Sequence, residues 1–206
     1  QEFHFWNSGW GGDTSWLRMR AGPNEKALFA ATGAEQEKLA KQAVDPCISR
    51  DVISYKPTLV MVNYGMNDHN YEAFREDIFR AYVCCQNEIA GMLTKAGSRV
   101  VLLTPQPIDR PGARPDKDPS NQPLRRFGLG LKKIASRNGA SFINQFDPYM
   151  SIMLRAHSGD TNACIGGGDA VHPGPAGHTM MAHIILKALN APALVSNAEL
   201  DVTRLQ

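Results

Sequence analysis

The feature that most constrains this chain is a pair of short, uninterrupted apolar runs with one helical stripe between them. Leu59–Val62 (LVMV) is followed by Gly65, and residues 100–103 (VVLL) end at Thr104-Pro105. Runs this short, without polar alternation, are expected of strands buried on both faces of a parallel sheet. Between them Phe74, Ile78, Tyr82, Cys85, Ile89 and Met92 recur at spacings of three and four, which puts them on one face of a helix. Gly97, just after Lys95, supplies a stop. Strand, amphipathic helix and strand in succession read as a crossover unit, and so as an α/β domain with a parallel sheet.

The pattern continues on both sides. Phe142-Ile143 is a shorter, weaker strand, and Phe3, Phe5 and Trp6 read as an opening strand ended by the glycines from Gly9 to Gly12. Leu124, Phe127, Leu131 and Ile134 make a second helical stripe, in which Gly128 and Gly130 each weaken the helix by about 1 kcal/mol relative to Ala. Met180, Ile184 and Ala188 make a third, starting after Pro173 and Pro175. Residues 105–123, rich in Pro, Asp and Arg, read as a long loop near the mouth of any site at the strand ends, where α/β folds bind ligands. With 206 residues, one domain is expected over 1–206, with 191–206 as a C-terminal extension.

Charge and composition exclude several functions. A net charge of +2 is too small to imply a nucleic-acid surface or a membrane-binding face, so neither partner is expected. The densest basic group, Arg125, Arg126, Lys132 and Lys133, falls on one helix and reads as a solvated face. No apolar run approaches the roughly 20 residues of a membrane span, and the N-terminus lacks the basic and apolar regions of a signal peptide. Four cysteines without a C-x-x-C pair make no disulfide scaffold, although Cys47 and Cys164 could pair if the protein is exported. His178 and His183 lie five apart on a helix, about 140° from one another, and so cannot share a metal ion as i, i+4 ligands do.

Three segments carry candidate chemistry. Asn7-Ser8-Gly9-Trp10-Gly11-Gly12-Asp13-Thr14 could expose backbone N–H groups toward a ligand, or could simply be a tight connection. Tyr64-Gly65-Met66-Asn67-Asp68 follows the most apolar strand; Asn67 could aim its amide into the crevice, or cap the next helix. In Asp169-Ala170-Val171-His172-Pro173 an Asp three residues before a His can accept from Nδ1 and leave Nε2 free as a base; the plain alternative is a surface loop capping the last helix.

Taken in order, the Asn-x-x-x-x-Gly-Asp-Thr turn, the Gly-x-Asn-Asp strand end and the Asp-x-x-His-Pro loop resemble the second, third and fifth blocks of the SGNH (GDSL-like) hydrolases. Lys56-Pro57 and Leu103-Thr104-Pro105 fit the same frame, and the resemblance runs from Glu2 to Leu189. It implies a three-layer α/β/α, flavodoxin-like fold with a parallel sheet, and ester hydrolysis through an acyl-enzyme. It also implies His172 as general base oriented by Asp169, an oxyanion hole from the Gly12 N–H and the Asn67 amide, and no metal or organic cofactor. Small-molecule or carbohydrate esters are the implied substrates, and acetyl esters are among them. The compartment stays open, secretion and the periplasm included.

One block is missing. The family's first block, a strand ending in Gly-Asp-Ser, should precede the Asn7 turn, yet no Gly-Asp-Ser occurs, and Gly159-Asp160 is followed by Thr161. Ser8 and Ser15 flank the glycines as turn or helix-start residues rather than as displaced nucleophiles. The resemblance therefore implies a chain truncated at its N-terminus, with an additional N-terminal segment or another chain completing the sheet. The alternative is a non-catalytic, ligand-binding SGNH-like domain.

Overall fold

The computed structural model describes residues 4–192. Its elements run α1 (Glu25–Ala30), α2 (Gly33–Asp51), β1 (Leu59–Val62), α3 (Glu76–Lys95), β2 (Arg99–Leu103), α4 (Asn121–Asn138), β3 (Ser141–Ile143), α5 (Phe146–Gly159) and α6 (Pro175–Ala188). Short 3₁₀ turns lie at Ile53–Tyr55 and Pro115–Lys117. The strands form a parallel sheet in the order β1-β2-β3, with Met61 opposite Val101 and Leu103 opposite Ile143.

The two faces of the sheet are covered unequally. Val60, Val62, Val100, Leu102 and Phe142 share one face and join the main core with Ile78, Tyr82, Cys85 and Ile89 of α3 and Phe127, Leu131 and Ile134 of α4. Apart from Phe74, which precedes α3, the stripes read from sequence therefore lie on the core-facing sides of α3 and α4. Gly97 follows α3 at φ +90°, and its N–H donates to the Thr94 carbonyl. On the other face Val101, Leu103 and Ile143 pack on Ile185 of α6, which completes three layers. This cover does not extend to β1: Leu59 is 38% exposed and Met61 44%. The expectation of a strand buried on both faces thus holds for β2 and fails for β1.

The expected opening strand is absent as well. Residues 4–10 form no strand; Phe5 and Trp6 are exposed, Trp6 stacks on Tyr55 at 4.5 Å, and Phe3 lies outside the described residues. A lone extended segment gains nothing without a neighbour to take its N–H and C=O groups. The third stripe buries Ile184 but leaves Met180 and Ala188 only partly covered or exposed. Most of the C-terminal extension, residues 193–206, lies outside the described residues. Cys47 and Cys164 are both free thiols, and no described helix is long and apolar enough to cross a membrane.

Candidate active site

Two of the segments singled out in the sequence, the turn after Asn7 and the end of β1, are joined by side-chain hydrogen bonds that span 54 and 53 residues, while the third, at Asp169, is tied to the loop that follows β2. Gly12 turns the chain at φ +75°, a conformation that favours glycine. The turn is held by Asp13, whose buried carboxylate accepts from the Met19 N–H (3.1 Å) and from Arg20 Nε (2.7 Å). Arg20 is buried too, donating to Tyr64 Oη (2.9 Å) and to Asp51 (3.3 Å). Among the described residues the Gly12 N–H meets no acceptor, so it remains available to a ligand.

Asn67, beyond the end of β1, is tied to this turn. Its Nδ2 donates to the Asp13 carbonyl at 3.0 Å, which uses one of two amide hydrogens and leaves the other free. Asp68 adds the second tie: fully buried, it accepts from the Ser15 N–H (2.8 Å) and the Gly65 N–H (2.9 Å). Burial pushes its carboxyl up to about 6, against the pull of those donors. His69 is buried next to it, with Nδ1 2.6 Å from the Met66 carbonyl and burial holding its imidazole toward the neutral form.

The acid–histidine pair is a local structure. Gly167 and Gly168 turn the loop at φ +65° and +68°, and it then closes on itself. Asp169 accepts the backbone N–H groups of Val171 (2.8 Å) and His172 (2.7 Å), while its Oδ2 lies 2.8 Å from His172 Nδ1. The His172 N–H, then the imidazole, then the Val171 N–H hold the carboxyl down at about 2. The His172 side chain is 83% exposed. An imidazole bound at Nδ1 and open at Nε2 can take up and return a proton at Nε2.

Tyr71 is bonded to the first of these groups and feels the charge of the second. Its hydroxyl donates to Asn67 Oδ1 at 3.3 Å, and burial, then the nearby Asp169 charge, raise its phenol. The loop at 105–120 also reaches the site, as expected: Gln106 Nε2 donates to the Val171 carbonyl (3.1 Å) and the Asp109 N–H to that of Ala170 (3.0 Å). Sequence reasoning quoted Asp68 in the Gly-x-Asn-Asp strand end without giving it a role, and missed Tyr71, Gln106 and Asp109, none of which stands in a motif that marks its partner. Ser8 donates its hydroxyl to the Asp51 carbonyl at 2.8 Å, and Ser15 is fully buried.

Several solved structures share this architecture. A gut microbial diltiazem-metabolizing enzyme superposes with a TM-score of 0.64 at 22% identity, covering 87% of this chain but only 38% of its own length. Axe2, an acetylxylan esterase from Geobacillus stearothermophilus, gives 0.58 at 22% identity over 75% of this chain and 69% of its own. A GDSL-like lipase from Bacteroides thetaiotaomicron gives 0.52 at 22%, over 73% and 70%. At these identities the likeness shows the fold, and no curated protein matches the chain. The GDSL-like lipase/acylhydrolase family model, however, matches residues 3–180, so this α/β chain belongs to that family of ester hydrolases.

Proposed function

We propose that the chain carries the acid–base and oxyanion parts of a serine ester hydrolase acting on acetyl or other small acyl esters, carbohydrate esters among them. The observation that carries the reading is the 2.8 Å contact between His172 Nδ1 and Asp169, with Nε2 facing solvent. In this reading Nε2 takes the proton of a serine hydroxyl as its oxygen attacks the ester carbonyl. The Gly12 N–H and the free Asn67 amide hydrogen donate to the resulting oxyanion. Collapse expels the alcohol, which leaves with the proton from His172, and water then repeats the sequence on the acyl-enzyme. The acetylxylan esterase activity in the name of one fold neighbour supports the substrate class.

The serine is the open part. β1 lies at the edge of the described sheet, which supports a further strand pairing along it, and the exposed Leu59 and Met61 leave the adjoining face open to cover. A strand added there in parallel would end at the same edge of the sheet as Asn67, so its following turn would arrive beside the oxyanion donors. Such a strand could belong to additional N-terminal residues or to another chain. The engagement of Ser8 and the burial of Ser15 favour a second reading, a ligand-binding domain without a nucleophile.

The test uses the natural protein with p-nitrophenyl acetate, acetylated xylo-oligosaccharides and a fluorophosphonate. Hydrolysis should fall by at least ~10³-fold in His172→Ala, with the fluorophosphonate on a serine other than Ser8 and Ser15. Near-normal hydrolysis in His172→Ala would remove the base. No labelling and no hydrolysis in the natural protein would support the binding-domain reading.

A further inference from the structure

Close to the exposed Asp169–His172 pair lies a second acid–imidazole pair that the reaction above does not use. Asp109 sits on the long loop after β2, and His157 in the last turn of α5, 48 residues further on. His157 Nε2 and Asp109 Oδ1 are 3.3 Å apart, and each side chain is only 5% exposed.

Asp109 grips the segment leading to His172 at three points. Its Oδ2 accepts the Gly166 N–H (3.1 Å), its own N–H donates to the Ala170 carbonyl (3.0 Å), and its carbonyl accepts the Cys164 thiol (3.4 Å). These contacts fall on both sides of Gly167 and Gly168, the two left-handed residues that set the direction in which the chain enters Asp169. The two carboxylate oxygens divide their work: one holds the loop, the other meets His157. Without His157 the buried Oδ1 would lose its only partner among the described residues, and the carboxylate would turn toward another donor at the expense of Gly166.

The catalytic loop needs such an anchor. Asp169 takes its hydrogen bonds from residues within three positions of itself, and these fix the shape of the turn but not where Nε2 points. That direction depends on what holds the loop to the rest of the molecule, and a displacement of about 1 Å can slow a reaction about 10²-fold.

We propose that Asp109 and His157 are a buried positioning pair that fixes the orientation of the Asp169–His172 loop. Its effect on turnover rests on the hydrolase reading above; its effect on loop geometry does not.

Solution NMR of the 206-residue chain separates the two. In the wild type His172 should show the imidazole ¹⁵N pattern of a single Nδ1–H tautomer. His157→Ala and Asp109→Ala should keep that pattern, which the local turn sets, but change the residual dipolar couplings of the Val171 and His172 N–H groups relative to those of α3. Amide exchange at Val171 and His172 should accelerate by roughly tenfold or more, with exchange in α3 unchanged. His157→Gln, which keeps a donor toward Oδ1, should behave as wild type, and it carries the comparison with His157→Ala if Asp109→Ala does not fold. In an ester-hydrolysing form, His157→Ala should lower kcat about 10²-fold with KM within about twofold. A folded His157→Ala with wild-type couplings and exchange at Val171 and His172 would overturn the proposal. So would a His157→Gln as defective as His157→Ala. Loop couplings and exchange altered in His157→Ala, in a protein with no esterase activity, would support the positioning pair and count against the hydrolase reading.

Discussion

Helix propensity and packing make opposite predictions for Gly128→Ala, which makes it a sharp test of how α4 meets the sheet. Considered as a helix residue alone, Gly128 is a defect, and Ala should stabilise by about 1 kcal/mol. In the fold, a Cβ at 128 would stand 2.8 Å from Thr104 Cβ and 3.0 Å from its Cγ2, well inside the roughly 3.5–4.0 Å of a relaxed carbon contact. Thr104 has little freedom to retreat. Its Oγ1 accepts the N–H groups of Gln145 and Phe146 (3.0 Å each), its own N–H donates to the Ile143 carbonyl (3.1 Å), and its carbonyl accepts the Gln145 side chain. Overpacking against so fixed a neighbour should cost about 2–3 kcal/mol, near the upper end of its usual range. The net expectation is a loss of about 1–2 kcal/mol, or roughly 2–8 °C in Tm. Urea titration reads it directly. Gly130→Ala is the control: there the new Cβ meets Cζ and Cε2 of Phe79 at 2.9 and 3.0 Å, the end of a ring that can swing aside, so the change should be near zero. Thr104→Ser should remove part of the Gly128→Ala penalty by deleting Cγ2. A Gly128→Ala chain more stable than wild type would refute the close approach of α4 to the end of β2.

Two further perturbations probe the site. Burial raises Asp68 to about 6 from about 3.9 in the unfolded chain, so the native state binds this proton more tightly. The resulting stability is complete below about pH 4 and lost as pH rises through about 6, a fall of about 3 kcal/mol. Asp68→Asn cannot ionise and should flatten the urea midpoint across that window; an unchanged slope would clear Asp68 of the effect. Asn67→Ala should lower kcat for ester hydrolysis about 10²–10³-fold with little change in KM, and lower stability by about 1 kcal/mol through the unpaired Asp13 carbonyl. An unaltered kcat would place the oxyanion elsewhere.

What could be read from the sequence was set by how local each signal is. The faces of α3 and α4 were legible because burial repeats every three or four residues along one element, and Asp169–His172 because its two members are three apart. Helix α2 was missed: Pro46 stands inside it and reads as a helix breaker, and its buried face is largely small, Ala40, Ala43, Val44, Cys47 and Ile48. Helix α5 carries a usable stripe in Phe146, Tyr149 and Met153, but its fourth member is His157, which reads as polar surface until Asp109 is known to face it. Gly128 read as a helix defect because nothing in the neighbouring sequence announces Thr104. The opening strand was misread for the complementary reason: alternation reports what a segment would do beside a partner strand, not whether one is present.

The same contrast separates the two parts of the site. Asn67 Nδ2 reaches Asp13, and the Ser15 N–H reaches Asp68, across 54 and 53 residues, and the turn they fix is backed by the buried Asp13–Arg20 pair. An oxyanion hole is useful in proportion to how little it must reorganise when charge appears, so anchoring the proposed donors by buried, non-local bonds would match that task. A general base has a different task, since its free nitrogen must alternate between receiving a proton and giving it up, which an exposed imidazole on a short loop permits. The local turn at Asp169 fixes which nitrogen is free but leaves open where that nitrogen points. The bonds from Gln106 and Asp109 supply that direction from outside the turn. Two kinds of constraint, long-range for the donors and local plus anchored for the base, thus follow from the two kinds of work the residues would do.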